Sequence, residues 1–236
     1  MWVIQSKDCK HDKDDSMNIL IIAPHADDEI LGVGGTILKY IANNHSVYVC
    51  IVTKGYEPLF TKALIDEIFK ESKECHNYLG IKETFYLNLP ASLVETMNRN
   101  ELNEKLLQLI DKVEPDMVFI PHCGDMQKDH QLIAEASMVA LRPKYRHKVK
   151  AIYSYETLSE TEWSIPHISN SFLPNVYCDI SDYLYEKLEA MKLYHSQLAE
   201  FPHPRSLTAM EALSKYRGST INVTAAEAFC LIRLIL

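Results

Sequence analysis

Six ionisable residues in two short segments could do chemistry together: Pro24-His25-Ala26-Asp27-Asp28-Glu29 near the start of the chain, and Asp129-His130 much further on. Successive carboxylates place like charges side by side, and each pair at about 4 Å costs on the order of 4 kcal/mol at an effective dielectric near 20. A helix N-terminus returns only roughly 0.3 to 1 kcal/mol per carboxylate, so a divalent cation is the better compensation. Two imidazoles plus one carboxylate are the ligands of many catalytic zinc sites, which keep one position for water. Here that set is His25, Asp28 and His130. Asp27 then lies beside the ion without ligating it, as general base toward a water whose pKa zinc lowers to about 7. Attack on an acyl carbonyl, with the proton passed on to the departing amine, makes N-acyl hydrolysis the expected reaction and acetate the expected acid product.

The plainer alternative is that His25, Asp27 and Asp28 only cap a helix, with Glu29 in its first turn. The distant Asp-His pair weighs against it. Asp129 is expected either to orient a neighbouring side chain beside the ion or to cap its own helix. Tyr155, Arg205 and Arg217 are candidate contacts for substrate hydroxyls or a phosphate, although a lone Arg more commonly pairs at the surface.

These residues need elements to hold them. Residues 18–23 (NILIIA) read as a strand, and 29–42 as a helix. A β-branched strand at 46–53 precedes a helix at 61–79 closed by Gly80. A strand at 84–89, a helix at 101–113, a strand at 116–121, a helix at 131–141 and a strand at 151–155 follow. Alternation of this kind implies parallel βαβ units and an α/β, Rossmann-like three-layer αβα sandwich with a mostly parallel sheet. In such a sheet, ligands sit outside the carboxyl ends of the strands at the switch point, where the first and fourth strands can bring the two segments together. Beyond Ser159 prolines punctuate the pattern and one helix is expected over 181–198. The expected organisation is a polar extension over 1–16 and a single domain over 17–236, with 160–236 shaping the pocket. Gly32, Gly34 and Gly35 do not match a dinucleotide fingerprint and read better as close helix packing.

Composition narrows the partners. The chain has 236 residues, of which 47% are hydrophobic, and a net charge of -8, which argues against nucleic acid and anionic membranes. There is no apolar run of about 18 residues for a membrane span and no signal-peptide pattern. The six cysteines are scattered, as in reduced cytoplasmic proteins. Homo-oligomerisation is left open, and a small acylated amino sugar or glycoconjugate as partner is what the resemblance described next implies.

The same residues carry a resemblance. Pro24 to Glu29 followed by Gly32-Val33-Gly34-Gly35-Thr36 is similar to the signature of the PIG-L/LmbE-like N-deacetylases, and Asp129-His130 to their second metal motif. The similarity runs from about Asn18 to Phe229 and includes Tyr155-Glu156, Ser196-Gln197, His203-Pro204-Arg205-Ser206 and Ala226-Glu227-Ala228-Phe229. It implies a Rossmann-like fold, zinc on His25, Asp28 and His130, Asp27 as base, and N-acetylated sugars or glycoconjugates as substrates. Gln127 departs from the pattern, standing where many members carry a histidine thought to stabilise the oxyanion. Loss of one such donor typically costs about a hundredfold or more in rate. The departure implies a weaker or inactive sugar-binding protein, another donor such as His122 or Tyr155, or an altered substrate.

Overall fold

Short runs of Ile and Val flanked by helical periods form the alternating elements that the pattern predicts. The computed structural model describes residues 16–144 and 149–236. The polar extension, apart from Ser16, lies outside the described residues, as do Cys9, His11 and His147. The order is β1 (Asn18–Ala23), α1 (Asp28–Ala42), β2 (Ser46–Lys54), α2 (Lys62–Leu79), β3 (Glu83–Pro90), α3 (Arg99–Val113), β4 (Met117–Pro121), α4 (Lys128–Ala140) and β5 (Ala151–Tyr155). Then come β6 (Val176–Asp179), α5 (Leu184–Lys192), α6 (Leu207–Ser219) and β7 (Ala226–Leu234).

The sheet runs β3-β2-β1-β4-β5-β7-β6, parallel from β3 through β5 and antiparallel where β7 joins β5 and β6. Strand alternation sends Leu20, Ile22, Val118 and Ile120 to the face covered by α3 and α4, with Leu106, Ile110 and Ile133. Ile19, Ile21 and Phe119 point to the other face, packed with Ile30, Val33 and Ile37 of α1 and with Met191 and Tyr194. Full burial of each such side chain is worth about 1.5 to 3 kcal/mol. The layers are those of the expected αβα sandwich.

The C-terminal third is more regular than its sequence suggests. The helix expected over 181–198 ends at Lys192, because the chain then folds through turns such as Tyr194 N–H to Met191 C=O and Gln197 N–H to Tyr194 C=O. Helix α6 is capped by Ser206, whose hydroxyl accepts from Ala209 N–H. Strand β7 carries no clear strand signal in the sequence because Glu227 interrupts its apolar run, yet that carboxylate is buried and paired with Lys187 at 2.7 Å.

β1 and β4 are neighbours, while β2 lies on the other side of β1. The loops leaving β1 and β4 therefore open into the same crevice at the strands' carboxyl ends. Helix α1 can sit close beneath it because Gly32 has no side chain. A Cβ there would lie 2.3 Å from Cδ2 of Tyr155.

Candidate metal centre and active site

The loop after β1 and the first turn of α1 place His25, Asp27 and Asp28, and the first turn of α4 places Asp129 and His130. His25 Nδ1, Asp28 Oδ2 and His130 Nε2 form a triangle with all three sides 3.3 Å. Ligands about 2.0 to 2.1 Å from a tetrahedral zinc lie about 3.3 to 3.4 Å from one another. Asp28 is fully buried, and its Oδ1 has no hydrogen-bond partner. The donor types, their spacing and this uncompensated oxygen fit a divalent cation.

The ligand set is held from behind. The far nitrogen of His25, Nε2, meets Asp129 Oδ2 at 3.1 Å, and the same oxygen accepts from Ser92 N–H at 2.7 Å. The far nitrogen of His130, Nδ1, meets Asp125 Oδ2 at 2.9 Å, while Asp125 Oδ1 accepts from the Thr161 hydroxyl. Each imidazole thus has one nitrogen on a carboxylate and the other turned to its fellow ligands, an arrangement that fixes ring orientation and tautomer. Of the two contacts expected of Asp129, the structure shows the one to a neighbouring imidazole, and its side chain makes no cap on α4. The sequence does not single out Asp125, since an acidic residue in a loop carries no signal until the loop is seen to turn back on His130.

Burial lowers the His25 pKa, but the hydrogen bonds to Asp129 and Asp28 outweigh it and push the group up to about 9. His130 likewise is pushed up to about 10, where the charge of Asp28 and the hydrogen bond to Asp125 overcome burial. Burial pushes Asp28 upward, yet the two imidazoles hold it well below the usual carboxylate range.

Asp27 heads α1 with φ 113°, and its side chain makes no capping bond. Its backbone N–H donates to Glu29 Oε2, and Glu29 Oε1 accepts from the Tyr194 hydroxyl at 2.7 Å and meets His76 Nε2 at 3.1 Å. His76, which shows no partner pattern in sequence, is part of the buried framework under this loop. Asp27 Oδ2 accepts from Arg205 Nη1 at 2.7 Å, and Oδ1 is buried without a partner. Burial raises Asp27 to about 7 against the pull of Arg205, with Asp28 and Glu29 adding to the rise.

A cavity of about 250 Å³ adjoins the triad, with His25, Gln127, Arg205 and Gln197 among its lining. Glu160 accepts from both the backbone N–H and the side-chain amide of Gln127, which is thereby held at the rim. Of the three substrate candidates, Arg205 lines this cavity. Tyr155 does not: it is fully buried and donates to the Ile22 carbonyl, a consequence of its close packing on Gly32. Arg217 is committed to Glu156 through two hydrogen bonds and is absent from the lining. Nor can His122 stand in for the missing histidine, because it is buried with Nε2 on the Asn170 carbonyl. Among the described residues a second group, Glu67, Glu71 and His195, also brings ligand-type atoms together. Glu71, however, is occupied by the Ser196 N–H and hydroxyl, so the group reads as a tether between α2 and the chain after α5.

Comparison with known proteins gives the chain's family and fold relatives. The family model PIG-L, described as GlcNAc-PI de-N-acetylase, matches residues 20–141, more than half of the chain. The "Probable N-acetyl-alpha-D-glucosaminyl L-malate deacetylase 2" of Bacillus anthracis is 29% identical over 193 residues, covering 77% of this chain and 82% of that protein. The diacetylchitobiose deacetylase of Thermococcus kodakarensis is 26% identical over 208 residues, covering 79% and 72%. The solved structure of N,N'-diacetylchitobiose deacetylase from Pyrococcus horikoshii shares the fold, with a TM-score of 0.75 over 92% of this chain and 84% of that one at 23% identity. These relatives are deacetylases of N-acetylglucosamine-containing compounds, and with a family match that runs from β1 past the His130 helix, the chain belongs to the PIG-L family of de-N-acetylases.

Proposed function

We propose that the protein is a zinc-dependent N-deacetylase that removes the acetyl group from an amino sugar or glycoconjugate, giving acetate and a free amine. The observation that carries this reading is the 3.3 Å triangle of His25, Asp28 and His130 with the unligated Asp27 beside it. His25, Asp28 and His130 would hold the zinc, which when bound would lower the pKa of a water to about 7 and polarise an acyl carbonyl.

The chain's own groups do the rest. Asp27 takes a proton from the attacking water through Oδ1, as the oxygen forms its bond to the acyl carbon. When the C–N bond breaks, Asp27 returns that proton to the nitrogen, so the amine leaves neutral. Arg205 fixes Oδ2 throughout and keeps a positive charge near the oxyanion, a charge that Gln127 lacks; Gln127 offers one amide hydrogen beyond its bond to Glu160. Asp129 and Asp125 act as positioning residues by orienting His25 and His130. Residues 17–236 work as one domain in this reading, with 160–236 completing the pocket through Gln197 and Arg205. No helix among the described residues is long and apolar enough to cross a membrane. A cytoplasmic location and a possible homo-oligomer are part of the proposal.

The test is acetate release from a panel of N-acetyl sugars and their glycosides, run with zinc added and with a chelator. Chelator-sensitive release supports the reading. Gln127 in place of histidine favours a second one, a sugar-binding protein with little turnover. Binding without acetate release across the panel would establish that alternative.

A further inference from the structure

A chain of polar contacts runs from helix α2 to the cavity beside the triad. It starts at Glu71, which is buried although Lys70 and Glu74 on the same helix are exposed. Glu71 Oε1 accepts from Ser196 N–H at 2.9 Å, and Oε2 accepts from the Ser196 hydroxyl at 2.5 Å. His195 Nδ1 pairs with Oε1 as well. Ser196 Oγ accepts in turn from Gln197 Nε2 at 2.9 Å. Gln197 lines the cavity, as does Arg205, whose carbonyl accepts from the N–H of Ala199, just beyond Gln197. Among the described residues Gln197 Oε1 meets no donor.

The charged end of this chain sets its direction. A carboxamide can be turned over with little change in shape, exchanging an acceptor for a donor of two hydrogens. Ser196 removes that freedom. Its hydroxyl has a single hydrogen, and the carboxylate takes it in the stronger, charge-assisted bond. What Oγ offers Gln197 is a lone pair, so Gln197 turns its NH2 to Ser196 and its carbonyl oxygen away. An amide held in this way is an acceptor before any ligand arrives, and ordering it adds no cost to binding.

We propose that Gln197 is a specificity-determining residue: its Oε1 accepts from one hydroxyl of the bound amino sugar, and Glu71 and Ser196 are the positioning residues that keep it an acceptor. This role rests on the deacetylase reading and adds a substrate contact to it. A substituent that cannot donate leaves Oε1 unpaired, which weakens binding by about fivefold or more. In Glu71→Gln the Ser196 N–H still needs an acceptor, so the new carbonyl turns to it and the new NH2 meets Ser196 Oγ. The Ser196 hydroxyl is then free to donate, Gln197 turns over, and its NH2 replaces Oε1 toward the sugar.

The probes are N-acetylglucosamine and its analogues with one hydroxyl at a time replaced by fluorine, which cannot donate. Calorimetry on zinc-loaded Asp27→Asn protein reads binding, and acetate release by the zinc-loaded parent reads turnover. At least one analogue binds more than about threefold weaker than the sugar, and that penalty falls below about threefold when Q197L, E71Q or S196A is added. Ser196→Ala unties the amide without touching the buried carboxylate, so it decides the matter should E71Q fail to fold. A penalty below about threefold for every analogue, or one that survives Q197L, or one that survives S196A, overturns the proposal. A fluorine penalty without acetate release leaves Gln197 as a sugar contact and removes the deacetylase reading; acetate release without a penalty does the reverse.

Discussion

Arg205 Nη1 grips Asp27 Oδ2 at 2.7 Å across 178 positions of sequence, while Asp27 Oδ1, equally buried, has no partner. One oxygen is fixed and the other is available for a proton, which is what a base that must return its proton requires. Asp27→Asn keeps the shape and an acceptor for Arg205 but removes the basic oxygen. The expected result is a loss of kcat of about a hundredfold to ten-thousandfold with little change in Tm. Acetate release and a thermal melt measure the two; full activity in the variant rules out Asp27 as base.

The cation on Arg205 also sets when that base is ready. Burial raises Asp27 to about 7 and Arg205 pulls it down. Removing the cation in Arg205→Gln leaves burial and the neighbouring carboxylates unopposed, so the group titrates higher. Since the deprotonated form does the work, rate rises with pH through this pKa. The acid limb of kcat should lie at or below about 7 in the parent, because a bound cation lowers it further, and should move to higher pH in the variant. An unmoved limb together with normal kcat at high pH assigns Arg205 elsewhere.

The supports behind the triad are partly legible in the sequence. Asp129-His130 stands out as a pair, and the βαβ alternation allows it to meet His25 where the first and fourth strands flank the switch point. Asp125, Glu160, His76 and Glu29's role are different. Each acts through a contact made by a loop turning back or a helix packing from far along the chain, and no local spacing encodes such a return. Tyr155 shows the opposite error: an aromatic at the carboxyl end of a strand looks like a substrate contact, but close packing on Gly32 turns it into the core. Strand β7 is equally hidden, its apolar run broken by Glu227, whose partners Lys187, Gly35 and Thr36 lie far away in sequence.

Asp125 and Asp129 should tune metal affinity without touching the metal. Asp125→Asn and Asp129→Asn each keep the side-chain volume but weaken the hold on one imidazole, His130 or His25. Loss of such an outer carboxylate typically costs about 10- to 100-fold in affinity. Competition with a chromogenic chelator reads the constant. Affinity within about twofold of the parent for both variants, or a comparable loss from a remote control such as Asp66→Asn, argues against the positioning role.

The same imidazoles couple metal binding to pH. In protein stripped of metal, His25 titrates at about 9 and His130 at about 10, both above the ordinary 6.5. A folded pKa above the unfolded one gives stability that is full below 6.5 and lost as pH rises through 9 to 10. Asp28 works oppositely, its contribution present above 3.8 and lost only as pH falls through its lower folded value, outside this window. Metal-free protein should therefore lose Tm between neutral pH and 10. A cation needs both imidazoles neutral, so it must displace their protons at neutral pH and fewer near 10. Calorimetry of zinc binding in buffers of different ionisation enthalpy measures that release. Absence of proton release at neutral pH would falsify the assignment of His25 and His130 as ligands, whereas release that fades toward 10, with zinc flattening the fall in Tm, ties the triangle to the metal.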